Sequence, residues 1–186
     1  MNPQAILKKI EEIINRNFQV HPQGNRFLLE EPKTSGYPST LLKKNGSILI
    51  YQFDIENSND SVFPIFDAKV PHVSTIADYI IFYPFKDEKL FVFICNLKSN
   101  NTTGASAQAQ AGWHISEYIM RTVERLFSYP KNINIEYRSL IFTTRPPTKR
   151  FSTNIKKEDY SELGGSGLKS ILLKAGVDCS LDIYCI

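Results

Sequence analysis

Apolar positions recur along this chain with two periods, and the change from one to the other marks out its elements. After Asn2 and Pro3, a favourable N-cap and first helical residue, Ile6, Leu7, Ile10, Ile13 and Ile14 fall on one helical face and predict a helix to about Asn17. On that helix Glu12 points away from the apolar face, whereas Glu11 lies on its shoulder and can reach the edge of a sheet. Pro22, Gly24, Pro32, Gly36 and Pro38 predict a loop, and Asn45-Gly46 opens a strand-like run from Ser47 to Ile55. Two further strands, Ile76 to Tyr83 and Leu90 to Leu97, flank Pro84 to Lys89 and read as a hairpin. Gly104 to Phe127 has the period of a long helix, Glu136 to Thr143 reads as a strand, Leu168 to Lys174 as a short helix, and Leu181 to Ile186 as a terminal strand. This order predicts an α/β or α+β fold, a mixed central sheet flanked by helices.

The exceptions to the apolar pattern carry the chemistry. Strands alternate faces, so Asp78 shares a face with Ile76, Ile80 and Phe82, and Asn96 and Lys98 share one with Leu90, Val92 and Ile94. A polar group on such a face must be paired or used. If the turn centres near Asp87, antiparallel pairing sets Asp78 opposite Asn96 with Lys98 two residues further on. An acid, an amide and an ammonium then converge at one end of the hairpin; a simple Asp78–Lys98 ion pair is the structural alternative. On the following helix Gln108 falls on the sheet-facing side, while Gln110 joins His114, Glu117, Arg121 and Glu124 on the outer one. Gly104, Ala105, Ser106, Ala107, Ala109, Ala111 and Gly112 are small, which suits close packing of helix on sheet.

Composition bounds the rest. With 186 residues, 42% hydrophobic, the chain is expected to form one domain over residues 1–186 with a core that needs no disulfide. No apolar run approaches membrane-spanning length, and Met1 to Arg16 lacks the apolar stretch of a signal peptide, so no membrane partner and a cytoplasmic location are expected. Cys95, Cys179 and Cys185 have no metal-ligand spacing, and His21, His72 and His114 form no ligand set. The net charge of +3 hides an uneven distribution. Arg138, Arg145, Lys149, Arg150, Lys156 and Lys157 occur without an intervening acid, leaving the rest of the chain at −3. In this stretch Thr143 to Arg150 contains Pro146-Pro147 and predicts a basic loop at a sheet edge, with Phe151 able to stack on a base. Glu162 to Ser170 is glycine-rich but lacks phosphate-loop spacing, because Leu168 separates Gly167 from Lys169.

Ala77 to Ser99, ADYIIFYPFKDEKLFVFICNLKS, resembles the active-site hairpin of the PD-(D/E)xK nuclease superfamily, the restriction-endonuclease-like fold with an αβββαβ core. The match covers about Ile76 to Phe127. The resemblance implies a metal-dependent nuclease acting on DNA or RNA, with Mg²⁺ or Mn²⁺ as cofactor. It places Asp78 at the metal-binding Asp, Asn96-Leu97-Lys98 at the (D/E)-x-K tripeptide and Lys98 at the catalytic lysine. It further implies the Leu97 carbonyl as a ligand, Glu11 as the acid supplied by the first helix, and Gln108 as the glutamine some branches place near the metal. Arg145, Lys149 and Arg150 become phosphate contacts. Many relatives pair to cut two strands, so a homodimer or a partner subunit is also implied. Two departures stand out: position 96 is Asn, which removes a carboxylate charge, and residue 77 is Ala where the motif has Pro. A noncatalytic nucleic-acid-binding or protein-interaction module on the same fold is the alternative reading.

Overall fold

A computed structural model of the chain describes residues 2–31, 36–54, 67, 69–70, 72–86, 89–128, 133–145 and 155–186. Helix α1 spans Pro3–Ile13; Asn2 caps it by accepting the Ala5 N–H at 2.9 Å, and Ile6, Leu7 and Ile10 are buried. It stops short of Asn17, where Arg16–Phe18 form a 3-10 turn capped by the Asn15 side chain. Two strands, β1 (Arg26–Leu29) and β2 (Thr40–Lys43), lie in or just beyond the stretch expected as loop. Each is four residues long, and they bury only Phe27, Leu29, Thr40 and Leu42. Such brevity gives little periodic signal between the prolines and glycines.

The main sheet follows the pattern read from the sequence. Strands β3 (Leu49–Tyr51), β4 (Tyr79–Phe85) and β5 (Lys89–Lys98) are antiparallel neighbours. Helix α2 (Ala105–Phe127) then crosses over to β6 (Asn134–Thr143), parallel to β5. Strands β7 (Ser161–Glu162) and β8 (Lys169–Lys174) complete six strands in the order β3-β4-β5-β6-β8-β7. A second, three-stranded sheet, β1-β2-β9, ends with β9 (Asp178–Cys179) parallel to β2. The architecture is a mixed α+β fold with two mixed sheets.

Two expected elements change type. Leu168 to Lys174, read as a short helix, supplies strand β8, because β6 offers it a parallel ladder from Arg138↔Lys169 to Thr143↔Lys174. The terminal segment read as a strand forms a 3-10 turn at Leu181–Tyr184, started by the Ser180 hydroxyl accepting the Asp182 N–H.

The six-stranded sheet is covered on both faces. Ile80, Phe82, Leu90 and Val92 pack against Ile6 and Ile10 of α1 and Ile119, Met120 and Val123 of α2. On the other face Ile81, Phe91, Phe93, Leu140 and Phe142 join Phe27, Leu29 and Leu42 of the small sheet and Leu181 and Tyr184 of the terminal turn. Cys95, Cys179 and Cys185 are free and buried, with Cys95 in this second core as expected. Among the described residues no helix is long and apolar enough to cross a membrane.

Candidate metal and phosphate site

The hairpin register places the site. Strands β4 and β5 pair from Tyr79↔Cys95 to Phe85↔Lys89, so the next step sets Asp78 against Asn96, as the turn position implies. Asp78 lies one residue before β4, where backbone pairing ends. Its Oδ2 accepts the Leu97 N–H at 2.6 Å, replacing a ladder acceptor with a carboxylate. A strand residue turns its N–H and C=O to the same edge, so the Leu97 carbonyl faces this side too.

Burial pushes the Asp78 carboxyl up to about 6, more than the Leu97 N–H holds it down. Glu31 and Asp54 raise it further by repulsion, while Lys98 opposes them. Lys98 acts as a nearby charge rather than as an ion-pair partner, so the simple Asp78–Lys98 pair is not formed. Glu31 and Asp54 are the acids that the sequence reading missed. Asp54 follows β3, whose pairing with β4 carries it toward Ala77 and Asp78. Glu31 follows Glu30, whose backbone both accepts from and donates to the Tyr79 hydroxyl, at 2.9 and 3.1 Å. Burial pushes the Tyr79 hydroxyl up to about 12, against the Glu30 backbone bond, which lowers it.

Asn96 is the least ordinary residue here. It is 0% exposed, and neither its Oδ1 nor its Nδ2 has a hydrogen-bond partner. It lies on the helix-facing side, two residues beyond Ile94. Above Ile94 stands Gly112 of α2, packed so closely that a Cβ there would be 2.7 Å from the Ile94 side chain and 2.8 Å from that of Ala77. Because α2 runs back against β5, the turn before Gly112 lies toward Asn96. Gln108, one turn before Gly112, has a buried Oε1 that also lacks a partner. Asp78, Asn96 and Leu97 thus meet at one end of the hairpin, with Lys98 acting on Asp78 as a charge.

Other expected residues fare differently. Glu11 stays exposed on α1, where its Oε1 accepts the Gln19 amide at 3.3 Å, and its charge acts on the Tyr51 hydroxyl rather than on Asp78. Arg145 is exposed just beyond the end of β6, on the same sheet end as Lys98, which pairs in register with Thr143. Lys149, Arg150 and Phe151 lie outside the described residues. Arg138, counted with the basic stretch, does not serve it. It is buried at the opposite sheet end, ion-paired with Glu136, which also binds Lys89 at 2.7 Å. The glycine-rich segment closes on itself, the Glu162 carboxylate accepting the Gly167 N–H at 2.9 Å. Gly164 packs beside Ser106 and Gln110, so Gln110 faces this loop rather than open solvent.

Among the described residues no group of three or more His, Cys, Asp or Glu side chains is set to hold a metal ion. The donors present are the Asp78 carboxylate, the orphaned Asn96 amide oxygen and the Leu97 carbonyl. That set fits a hard cation held by few protein ligands and completed by water and phosphate, the common state of Mg²⁺. A groove of about 390 Å³ between Met120, Ile133, Ile135 and Tyr137 lies beside the start of β6, away from these groups. Family models, curated proteins and solved structures return no match to the chain.

Proposed function

We propose that this chain is a metal-dependent nuclease on a restriction-endonuclease-like core, hydrolysing phosphodiester bonds of DNA or RNA. The observation that carries the reading is the Asp78 carboxylate seated on the Leu97 N–H, in register with Asn96 and near Lys98. Within the six-stranded sheet and its two helices the order α1, β3, β4, β5, α2, β6 supports it by matching αβββαβ, with β1 and β2 of the small sheet inserted after α1. Asp78, the Asn96 Oδ1 and the Leu97 carbonyl would hold Mg²⁺ or Mn²⁺. Such a cation supplies Lewis-acid polarisation of a phosphate and eases deprotonation of water. Lys98 orients the attacking water or meets charge developing on the phosphate. Arg145 holds the strand by a phosphate contact.

A noncatalytic nucleic-acid-binding module is the second reading, favoured by the Asn at position 96. Incubating the protein with plasmid, single-stranded DNA and RNA, with Mg²⁺, Mn²⁺ or EDTA, separates the two. The nuclease reading expects metal-dependent cleavage that Asp78→Ala reduces by about 10²-fold or more, the scale of one electrostatic group in a site. Cleavage equal in wild type and Asp78→Ala would sink it. Asn96→Glu should tighten Mn²⁺ binding measured by calorimetry; unchanged binding would mean that position 96 does not face the cation.

A further inference from the structure

We propose that the first half of β6 is a docking edge for an extended segment of another protein, one that alternates apolar with polar residues and carries lysine or arginine. This edge lies at the end of the sheet away from Lys98 and stands apart from the nuclease reading. Strand β6 begins at Asn134, but β8 pairs with it only from Arg138↔Lys169 onward, so Asn134 to Tyr137 have a neighbouring strand, β5, on one side alone. The Thr143 carbonyl accepts the Ala175 N–H at 2.9 Å, so the odd-numbered residues of β6 turn their backbone groups toward the β8 side. Ile135 belongs to that set, and its N–H and C=O face the open edge. Among the described residues neither group has a partner. The covering of β6 ends at Tyr137, whose carbonyl accepts from the Arg138 guanidinium at 2.9 Å and whose ring packs near Leu163 and Leu168. A strand edge left open in this way is a template for another strand.

The independent observation is the groove beside this edge. Ile133, Ile135 and Tyr137 turn their side chains to the helix face, where with Met120 they floor a cavity of about 390 Å³ along the second half of α2. The rim carries Glu117, Arg121 and Glu124, with Arg121 bonded to Glu124 at 3.1 Å, so two acids face one cation and the rim stays net negative. An added strand presents alternate side chains to one face. Its apolar set enters the cavity while its backbone meets Ile135, and a basic residue reaches Glu117. The open ladder groups thus select an extended backbone, and the apolar floor and acidic rim select its side chains. A second copy pairing through the same edge would set this patch against itself and bring its own Glu117 and Glu124 to an acidic rim, which disfavours it as the occupant.

The test is a titration of ¹⁵N-labelled protein, followed by two-dimensional NMR, with a pooled library of short peptides that carry Val, Ile, Leu or Tyr at alternate positions and Lys, Arg or Thr between them. The expected result is saturable shifts of the Asn134, Ile135 and Glu136 backbone amides, and none with a library in which Asp and Glu replace Lys and Arg. N-methylating the peptides at one alternate set of residues should abolish the shifts and at the other set should leave them, because a strand offers one edge to its neighbour. Ile135→Pro deletes the edge N–H without removing a bond of the β5 ladder and should abolish binding. Glu117→Lys, on the helix, should weaken binding by about fivefold, the change expected when a partly exposed attraction becomes a repulsion, and covers the case in which Ile135→Pro fails to fold. No shift at the β6 edge, equal loss from both methylated sets, or wild-type affinity in either variant would overturn the proposal. So would an Ile135 amide already protected from hydrogen exchange in the peptide-free protein, with the chain covering its own edge, or Ile135 shifts that grow with protein concentration alone, with a second copy taking it. Metal-dependent cleavage without peptide binding would remove the docking edge and leave the nuclease, whereas peptide binding without cleavage would do the reverse.

Discussion

A single carboxyl group shows what the site costs the fold. The Asp78 carboxyl is raised from its ordinary 3.8 to about 6, first by burial. A carboxyl with a raised folded value binds its proton more tightly when folded, so folding is favoured below about pH 4 and that advantage is lost as pH rises through 6. The penalty above pH 6 is on the order of 2 kcal/mol, taking account of the partial exposure of the side chain. Asp78→Asn keeps an acceptor for the Leu97 N–H and removes the ionisable group. In EDTA the variant is expected to melt higher than wild type at pH 7.5 and to lose most of that gain at pH 4.5, in thermal unfolding followed by circular dichroism. A variant less stable at pH 7.5 would mean that the charged hydrogen bond to Leu97 outweighs burial. A group that destabilises the chain near neutral pH is what a binding role would explain and a purely structural one would not.

At the scale of elements, α2 is fixed to the sheet by an absence of side chain. Alanine is normally the better helix former than glycine by about 1 kcal/mol. At Gly112, however, the added methyl would meet the Ile94 and Ala77 side chains at 2.7 and 2.8 Å, and Ala77 precedes Asp78. Overpacking of this kind costs about 1–3 kcal/mol. Gly112→Ala should therefore lower stability by about 1 kcal/mol net in urea unfolding, against its propensity; a rise would mean that α2 lifts freely from the sheet. Close packing at this helix was legible in the run of small residues, and the opposition of Asp78 and Asn96 was legible because one turn position fixes a hairpin register. Strand β8 was not, since Leu168, Ile171 and Leu172 suit a short helix as well as a strand and only the neighbouring β6 decides. Glu31 and Asp54 were missed for a related reason. Their approach to Asp78 depends on the Tyr79–Glu30 bonds and on β3–β4 pairing, which no local pattern records.

Across the whole molecule the charge of +3 matters less than where it stands. Strands β5, β6 and β8 are parallel, and their C-terminal ends bring Lys98, Thr143 and Lys174 into adjacent register, with Arg145 just beyond. Open sheets commonly bind ligands outside the carboxyl ends of their strands, where loops and helix starts converge. At the other end Lys89 and Arg138 share the carboxylate of Glu136, which the two cations hold below its usual range despite burial. The basic stretch read from the sequence is thus split, with Arg138 built into the core and Arg145 left at the proposed site. Arg145→Ala and Lys98→Ala should each weaken binding of single-stranded oligonucleotides similarly across sequences. Each should reduce the magnitude of the slope of log affinity against log salt by about 0.7, the release expected from one phosphate contact on a single strand. Lys89→Ala removes the same formal charge from the opposite end and should leave that slope unchanged. Fluorescence anisotropy in EDTA across a salt series measures all three, and equal slope changes for Lys89 and Arg145 would show that net charge, rather than this sheet end, attracts the strand.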